Sequence, residues 1–198
     1  GGGGSVGVGA ALALNVASSV ADASLSNVAI EAGGALNLKS ENNMDASATA
    51  DASAAQGKTG TSVGIGIALN IADMQNHANV GAGTSVTAQG VSAQALMKDV
   101  DGDKTHKFAA KAISGASGGD TGVAGSFALN YSKAQTDAGL TTALTVNAGA
   151  GDVTIKAENS SDAQVEATAK AGKAGETGVG VSVGINVAVD NDTRAVIA

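Results

Sequence analysis

Three carboxylates stand at alternate positions around a glycine in Asp99-Val-Asp101-Gly-Asp103. Hard oxygen ligands on a tight turn suit Ca2+. The same residues suit a solvated acidic turn, and both readings stand. Gly102 comes earlier than in a helix-loop-helix calcium site, and no Glu follows at the twelfth position. The glycine-rich nonapeptide of calcium-binding β-rolls is also missing. Asp190-Asn-Asp192 carries a weaker form of the same signal. The two histidines are His77 and His106. A nucleophilic triad needs a histidine beside both a hydroxyl or thiol and an orienting acid, and neither has such a setting in the sequence. His77 falls where other copies of a repeat carry Asp22 and Asp137, so it reads as an exposed turn residue. Glycoside cleavage needs paired carboxylates, whereas the charges here lie mostly in variable turns. The run Gly1 to Gly4 lacks the Lys-Ser/Thr of a phosphate-binding loop. The expectation is a protein that is not an enzyme, with Ca2+ at Asp99, Asp101 and Asp103 as its one cofactor reading.

The elements that position these residues are set by an unusual composition. The 198 residues include 29 glycines and no Cys, Pro or Trp, against a usual glycine share of about 7%. The aromatics are Phe108, Phe127 and Tyr131. A core must come from Val, Ile, Leu and Ala, which favours thin, closely spaced layers. The net charge is −7, and the 11 Lys and Arg residues are scattered. Phosphate neutralisation needs clustered cations, so no nucleic-acid partner is expected. No apolar run approaches the roughly 20 residues of a membrane span. The first residues carry no secretory signal pattern, so a signal would have to lie outside this sequence.

An internal repeat decides the expected fold. Gly7-Val-Gly-Ala-Ala-Leu-Ala-Leu-Asn15 returns as Ser62-Val-Gly-Ile-Gly-Ile-Ala-Leu-Asn70, then as Gly122-Val-Ala-Gly-Ser-Phe-Ala-Leu-Asn130. The fourth copy is Gly178-Val-Gly-Val-Ser-Val-Gly-Ile-Asn186. The asparagines are spaced by 55, 60 and 56 residues. Ten residues after each comes an aliphatic residue: Leu25, Val80, Leu140 and Val196. Gly34-Ala-Leu-Asn-Leu-Lys-Ser-Glu-Asn42 recurs as Gly151-Asp-Val-Thr-Ile-Lys-Ala-Glu-Asn159, and more weakly as Gly90-Val-Ser-Ala-Gln-Ala. An alanine-rich alternating stretch follows, such as 46–52 and 165–171. Gly-rich connectors such as Gly57-Lys-Thr-Gly60 and Gly172-Lys-Ala-Gly175 close each unit. The units run from about 5–59, 60–119, 120–175 and a partial 176–198, all within one tandem-repeat segment, 1–198.

Apolar residues at every second position, Val63, Ile65, Ile67, Leu69 and Ile71, mark a half-buried strand. The alternate face is bare: Gly64, Gly66, Ala68, Asn70. It suits close packing of layers or a flat binding surface. The fold class expected is all-β, a repetitive β-solenoid in the form of a right-handed parallel β-helix. Each unit should bury its aliphatic row against the next, with about four short strands and two or three coils per unit. The alternative is an elongated antiparallel β-hairpin repeat array. Asn15, Asn70, Asn130 and Asn186 are expected to end the anchor strands and form a structural ladder, bonding turn groups or one another.

The copies at 178–197 and 151–159 resemble the repeats of very large secreted bacterial exoproteins, the filamentous-haemagglutinin-like and leukotoxin-like adhesins. The resemblance spans essentially the whole chain as a style of repeat. It implies a parallel β-helix shaft, export to the cell surface, and a part in adhesion or aggregation; it carries over no functional residue.

Three functions follow as expectations. The first is a structural shaft of a secreted surface adhesin or extracellular fibre. Its partners would be neighbouring repeats of the parent chain, further copies through end-to-end or lateral self-association, and a host or neighbouring-cell surface. The chain opens and closes at nearly the same phase of the repeat, like an excerpt from a longer array. The second is a glycan- or surface-binding module on the flat face, although threonines in register and aromatic platforms are missing. The third is a polysaccharide-acting enzyme.

Overall fold

The computed structural model describes residues 5–53, 60–117, 120–141, 145–172 and 177–198. The expected glycine run at 1–4 and most of the two Gly-rich connectors lie outside them. Among the described residues the chain is all-β, with 13 strands. The long strands are β1 (Ser5–Leu25), β5 (Gly60–Val80), β9 (Thr121–Leu140) and β13 (Thr177–Ile197). Between them run three short sets: β2 (Ala29–Glu31), β3 (Leu36–Asn42) and β4 (Asp45–Ser53); β6 (Ser85–Thr87), β7 (Val91–Met97) and β8 (His106–Ala116); β10 (Thr145–Asn147), β11 (Val153–Ala157) and β12 (Ser161–Ala171).

The strands assort into four parallel sheets, and each of the three complete repeats gives one strand to each sheet in the same order, the partial fourth giving β13 alone. The long strands form a sheet β1-β5-β9-β13; the others form β2-β6-β10, β3-β7-β11 and β4-β8-β12. All ladders between these strands are parallel. The antiparallel hairpin alternative therefore does not describe the pairing. A repeat makes one circuit of the four sheets rather than two or three, because its anchor strand is 21 residues long. Asn70 consequently lies in mid-strand and does not end it. His77 too sits within β5 and not in a turn.

The close packing expected of the bare face is met, whereas the expected burial of the aliphatic row is not. The bare residues point inward: Ala68, Asn70, Ala72 and Met74 are all 0% exposed. The aliphatic row points outward, with Ile65 47% and Ile71 40% exposed. The reason is the gap between layers. Sheets bearing medium-sized side chains stack about 10 Å apart. Here the long sheet lies on the alanine-rich sheet β4-β8-β12, with Ala48, Ala50, Ala110 and Ala112 meeting Ala68 and Ala128. A Cβ on Gly66 would collide with the carbonyl oxygen of Ile113, and one on Gly64 with that of Gly115. Branched side chains do not fit this gap and are left on the outer face.

Larger inward side chains follow further along the strand, interrupted by an alanine layer of Ala78, Ala95 and Ala138. After the glycines come Met74 with Met44 and Phe108. At the far end Val80 and Leu140 pack with Leu38, Val86 and Val91. Of the aliphatic residues that follow the asparagines, Val80 and Leu140 are buried in this last cluster and Leu25 packs at its margin. Leu25, Val80 and Leu140 are in register, but their fourth partner is Ile197 instead of Val196. A bulge between Val189 and Asp192 shifts the last strand by one residue.

Candidate functional site

The Asp99–Asp103 segment is a two-residue hairpin. Val100 and Asp103 exchange backbone hydrogen bonds, each 2.9 Å. Asp101 and Gly102 have φ of +51° and +86°, the pairing that Asp-Gly favours at such turns. The three carboxylates do not converge. Asp99 accepts the Gly102 N–H at 2.8 Å and lies 3.7 Å from the Lys104 ammonium. Asp103 accepts the Thr105 N–H at 3.0 Å and pairs with Lys107 at 2.5 Å. The Lys107 ammonium holds the Asp103 carboxyl below its ordinary range, and Asp103 raises Lys107 in return. Among the described residues no three His, Asp or Glu side chains gather as a metal cage. Asp190 has φ of +47° and belongs to the bulge, where Asn191 accepts from Asn159 and donates to Ser161.

The four asparagines form a chain of amides running across the long sheet. Asn15 Nδ2 donates to Asn70 Oδ1 at 2.7 Å, Asn70 to Asn130 at 2.7 Å, and Asn130 to Asn186 at 2.9 Å. Asn186 ends the chain by donating to the carbonyl of Ala163 at 2.8 Å. Parallel in-register strands place like residues about 4.8 Å apart, so one amide reaches the next without leaving its rotamer. Asn70 and Asn130 are fully buried, and each amide satisfies the neighbour that burial would otherwise leave bare.

His106 is 1% exposed and stacks on Phe108 with ring centroids 6.1 Å apart. Its Nδ1 accepts the Met44 N–H at 2.9 Å, which requires a neutral ring with its proton on Nε2. Burial pushes the imidazole below 6.5, and nearby Asp45 opposes this more weakly. The ring is an internal acceptor tying β8 to the start of β4, and nothing nucleophilic faces it among its described contacts.

The most distinctive surface is the outer face of the long sheet, which register divides into two halves. Five apolar ranks cross it: Val8-Val63-Val123-Val179, Ala10-Ile65-Gly125-Val181, Leu12-Ile67-Phe127-Val183, Leu14-Leu69-Leu129-Ile185 and Val16-Ile71-Tyr131-Val187. The other half is polar. Ser18-Asp73-Lys133-Val189 borders the apolar ranks, and Asp22-His77-Asp137-Arg194 lies further on. In that rank Asp137 accepts from Arg194 Nε at 2.8 Å and lies 3.4 Å from His77 Nδ1. Asp137 and Asp192 raise the Arg194 guanidinium. A small cleft lined by Asn79, Asp137, Thr141 and Arg194 opens beside it.

The β5 row of these ranks, Val63, Ile65, Ile67, Leu69 and Ile71, is legible in the sequence as an apolar face, but it was expected to be buried and it faces outward. A signal was present: glycines on the opposite face of the same strand leave no room for a branched core. No protein-family model, curated protein or solved structure matches this chain.

Proposed function

We propose that the chain is a segment of a right-handed parallel β-helix serving as the structural shaft of a secreted bacterial surface adhesin or extracellular fibre, without catalytic activity. What carries this reading is the in-phase return of the repeat: each complete unit lays one strand on each of four sheets, in register with its counterparts in the neighbouring units. Such a unit stacks indefinitely, because its top and bottom edges are the same set of strands. The amide chain through Asn15, Asn70, Asn130 and Asn186 adds an in-register lock at each step. The resemblance of the copies at 178–197 and 151–159 to the repeats of large secreted adhesins supports the surface location. The partners are then neighbouring repeats of the parent chain, with a host or neighbouring-cell surface engaged by the parent as a whole.

A chain lengthened to about twenty units should form straight rods, with an axial diffraction spacing of about 4.8 Å from strand stacking. Beads of separate domains, without that reflection, would end the shaft reading. Antibodies raised against the chain should label intact cells of the source bacterium. Labelling only after lysis would remove the surface assignment.

A further inference from the structure

We propose that two copies of this chain associate laterally, face to face, through the apolar half of the long sheet. The proposal stands on that surface and holds whether or not the shaft reading does. Val8 is 67% exposed, Leu12 71%, Leu14 62%, Ile65 47% and Val181 60%. Five ranks at about 6.6 Å and four strands at about 4.8 Å make a face of about 630 Å2. That exceeds the largest apolar patch of most monomers, about 300–600 Å2. Two such faces together bury about 1,300 Å2, above the roughly 1,000 Å2 expected of a specific interface. The rows are β-branched and leucine side chains on a sheet, the surface that interdigitates with another sheet. A lipid surface fits less well, since Asp22, Asp73, Asp137 and Asp192 share this face and would be repelled by anionic headgroups.

The polar half selects the orientation. A two-fold axis along the strands, between β5 and β9, sets β1 of one copy over β13 of the other and each rank over itself reversed. Asp22-His77-Asp137-Arg194 then faces Arg194-Asp137-His77-Asp22. Asp22 meets Arg194 and His77 meets Asp137. In the next charged rank Asp73 meets Lys133. An isologous contact requires such self-complementarity. A two-fold axis across the strands would place β1 over β1 and leave the charges unmatched.

Sedimentation equilibrium of the 198-residue chain tests this. A monomer–dimer equilibrium through this face is expected. Ile65→Glu with Ile71→Glu should weaken it about a hundredfold or more, because each lost apolar contact counts twice in a two-fold interface. Both side chains face solvent in the single chain, so the circular dichroism spectrum should not change. Disulfide trapping tests the orientation in a chain that has no native cysteine. Leu14→Cys with Ile185→Cys should link two copies, whereas the two sites within one chain are three strands apart, too far for a bridge. Leu12→Cys alone should not link them. The proposal is overturned if the chain stays monomeric at every concentration, or if association ignores the glutamates. Linkage through Leu12→Cys alone would overturn the orientation. Co-sedimentation with phosphatidylcholine–phosphatidylglycerol vesicles in place of dimerisation would hand the face to lipid and overturn the proposal.

Discussion

The polar residues inside this protein hold strands in register, and their energetics can be tested singly. Asn70 both donates and accepts within the amide chain, with 0% exposure. Asn70→Ala strands an Asn15 donor and the buried Asn130 acceptor, so the loss should be about 1–3 kcal/mol. Asn15→Ala cuts one bond at the partly exposed edge and should cost less; paired urea denaturation curves would show the order. His106 supplies a pH dependence. Burial holds its folded pKa below 6.5, so the unfolded chain binds more protons just below that pH. Its contribution to stability is therefore complete above about pH 6.5 and is lost as pH falls through the lower, folded value. In a His77→Gln background, the urea midpoint should fall between pH 7.5 and pH 5. His106→Leu should flatten that slope while lowering stability at both pH values, because the Met44 N–H loses its acceptor. An equal slope in His106→Leu would show that another group titrates.

At the scale of the strand, side-chain size decides which face is buried, and hydrophobicity is overruled. Gly66 presents its backbone to the carbonyl of Ile113, where a Cβ would collide. Gly66→Ala usually gains about 0.4–1 kcal/mol from a stiffer unfolded chain. Here the clash with backbone outweighs that, and a net loss of about 1–3 kcal/mol is expected. Ile65→Ser, on the outer face of the same strand, should change the melting temperature of the monomer little. The opposite order would mean that the aliphatic face is the buried one. This contrast also shows why the sequence was only partly legible. Period-2 alternation and the asparagine spacing revealed strands and repeat, because both are local and recur. The number of circuits per unit was not legible. Nothing before Asn70 distinguishes a short strand from one that continues through Asp73 and His77 to Val80. The inward face depends on the distance to a second sheet, which is set by Ala48, Ala110 and their neighbours some tens of residues away. At Asp99–Asp103 the sequence left two readings open for a simpler reason. Asp-Gly is also a hairpin sequence, and backbone N–H groups and lysines take up the carboxylates of Asp99 and Asp103.

For the molecule as a whole, stability is distributed by position in the stack. The middle strands β5 and β9 have a parallel partner on each side, whereas β1 and β13 have one each among the described residues. Inner-face burial follows the same order. Asn70 and Asn130 are buried, while the β13 positions around Asn186 are exposed. The same residue type therefore sits in three environments across one rank. Local opening needs only the contacts of the segment that opens, so an end strand can detach without disturbing the centre. Hydrogen exchange should then show graded protection, slowest in β5, β8 and β9. In β1, alternate amides on the unpaired edge should exchange fastest. If a further repeat is fused next to β13, its amides should slow towards those of β9 while those of β1 stay as they were. Uniform slowing of all four long strands would instead show that the stack opens only as one unit. In that case the nearest-neighbour account of its stability would fail.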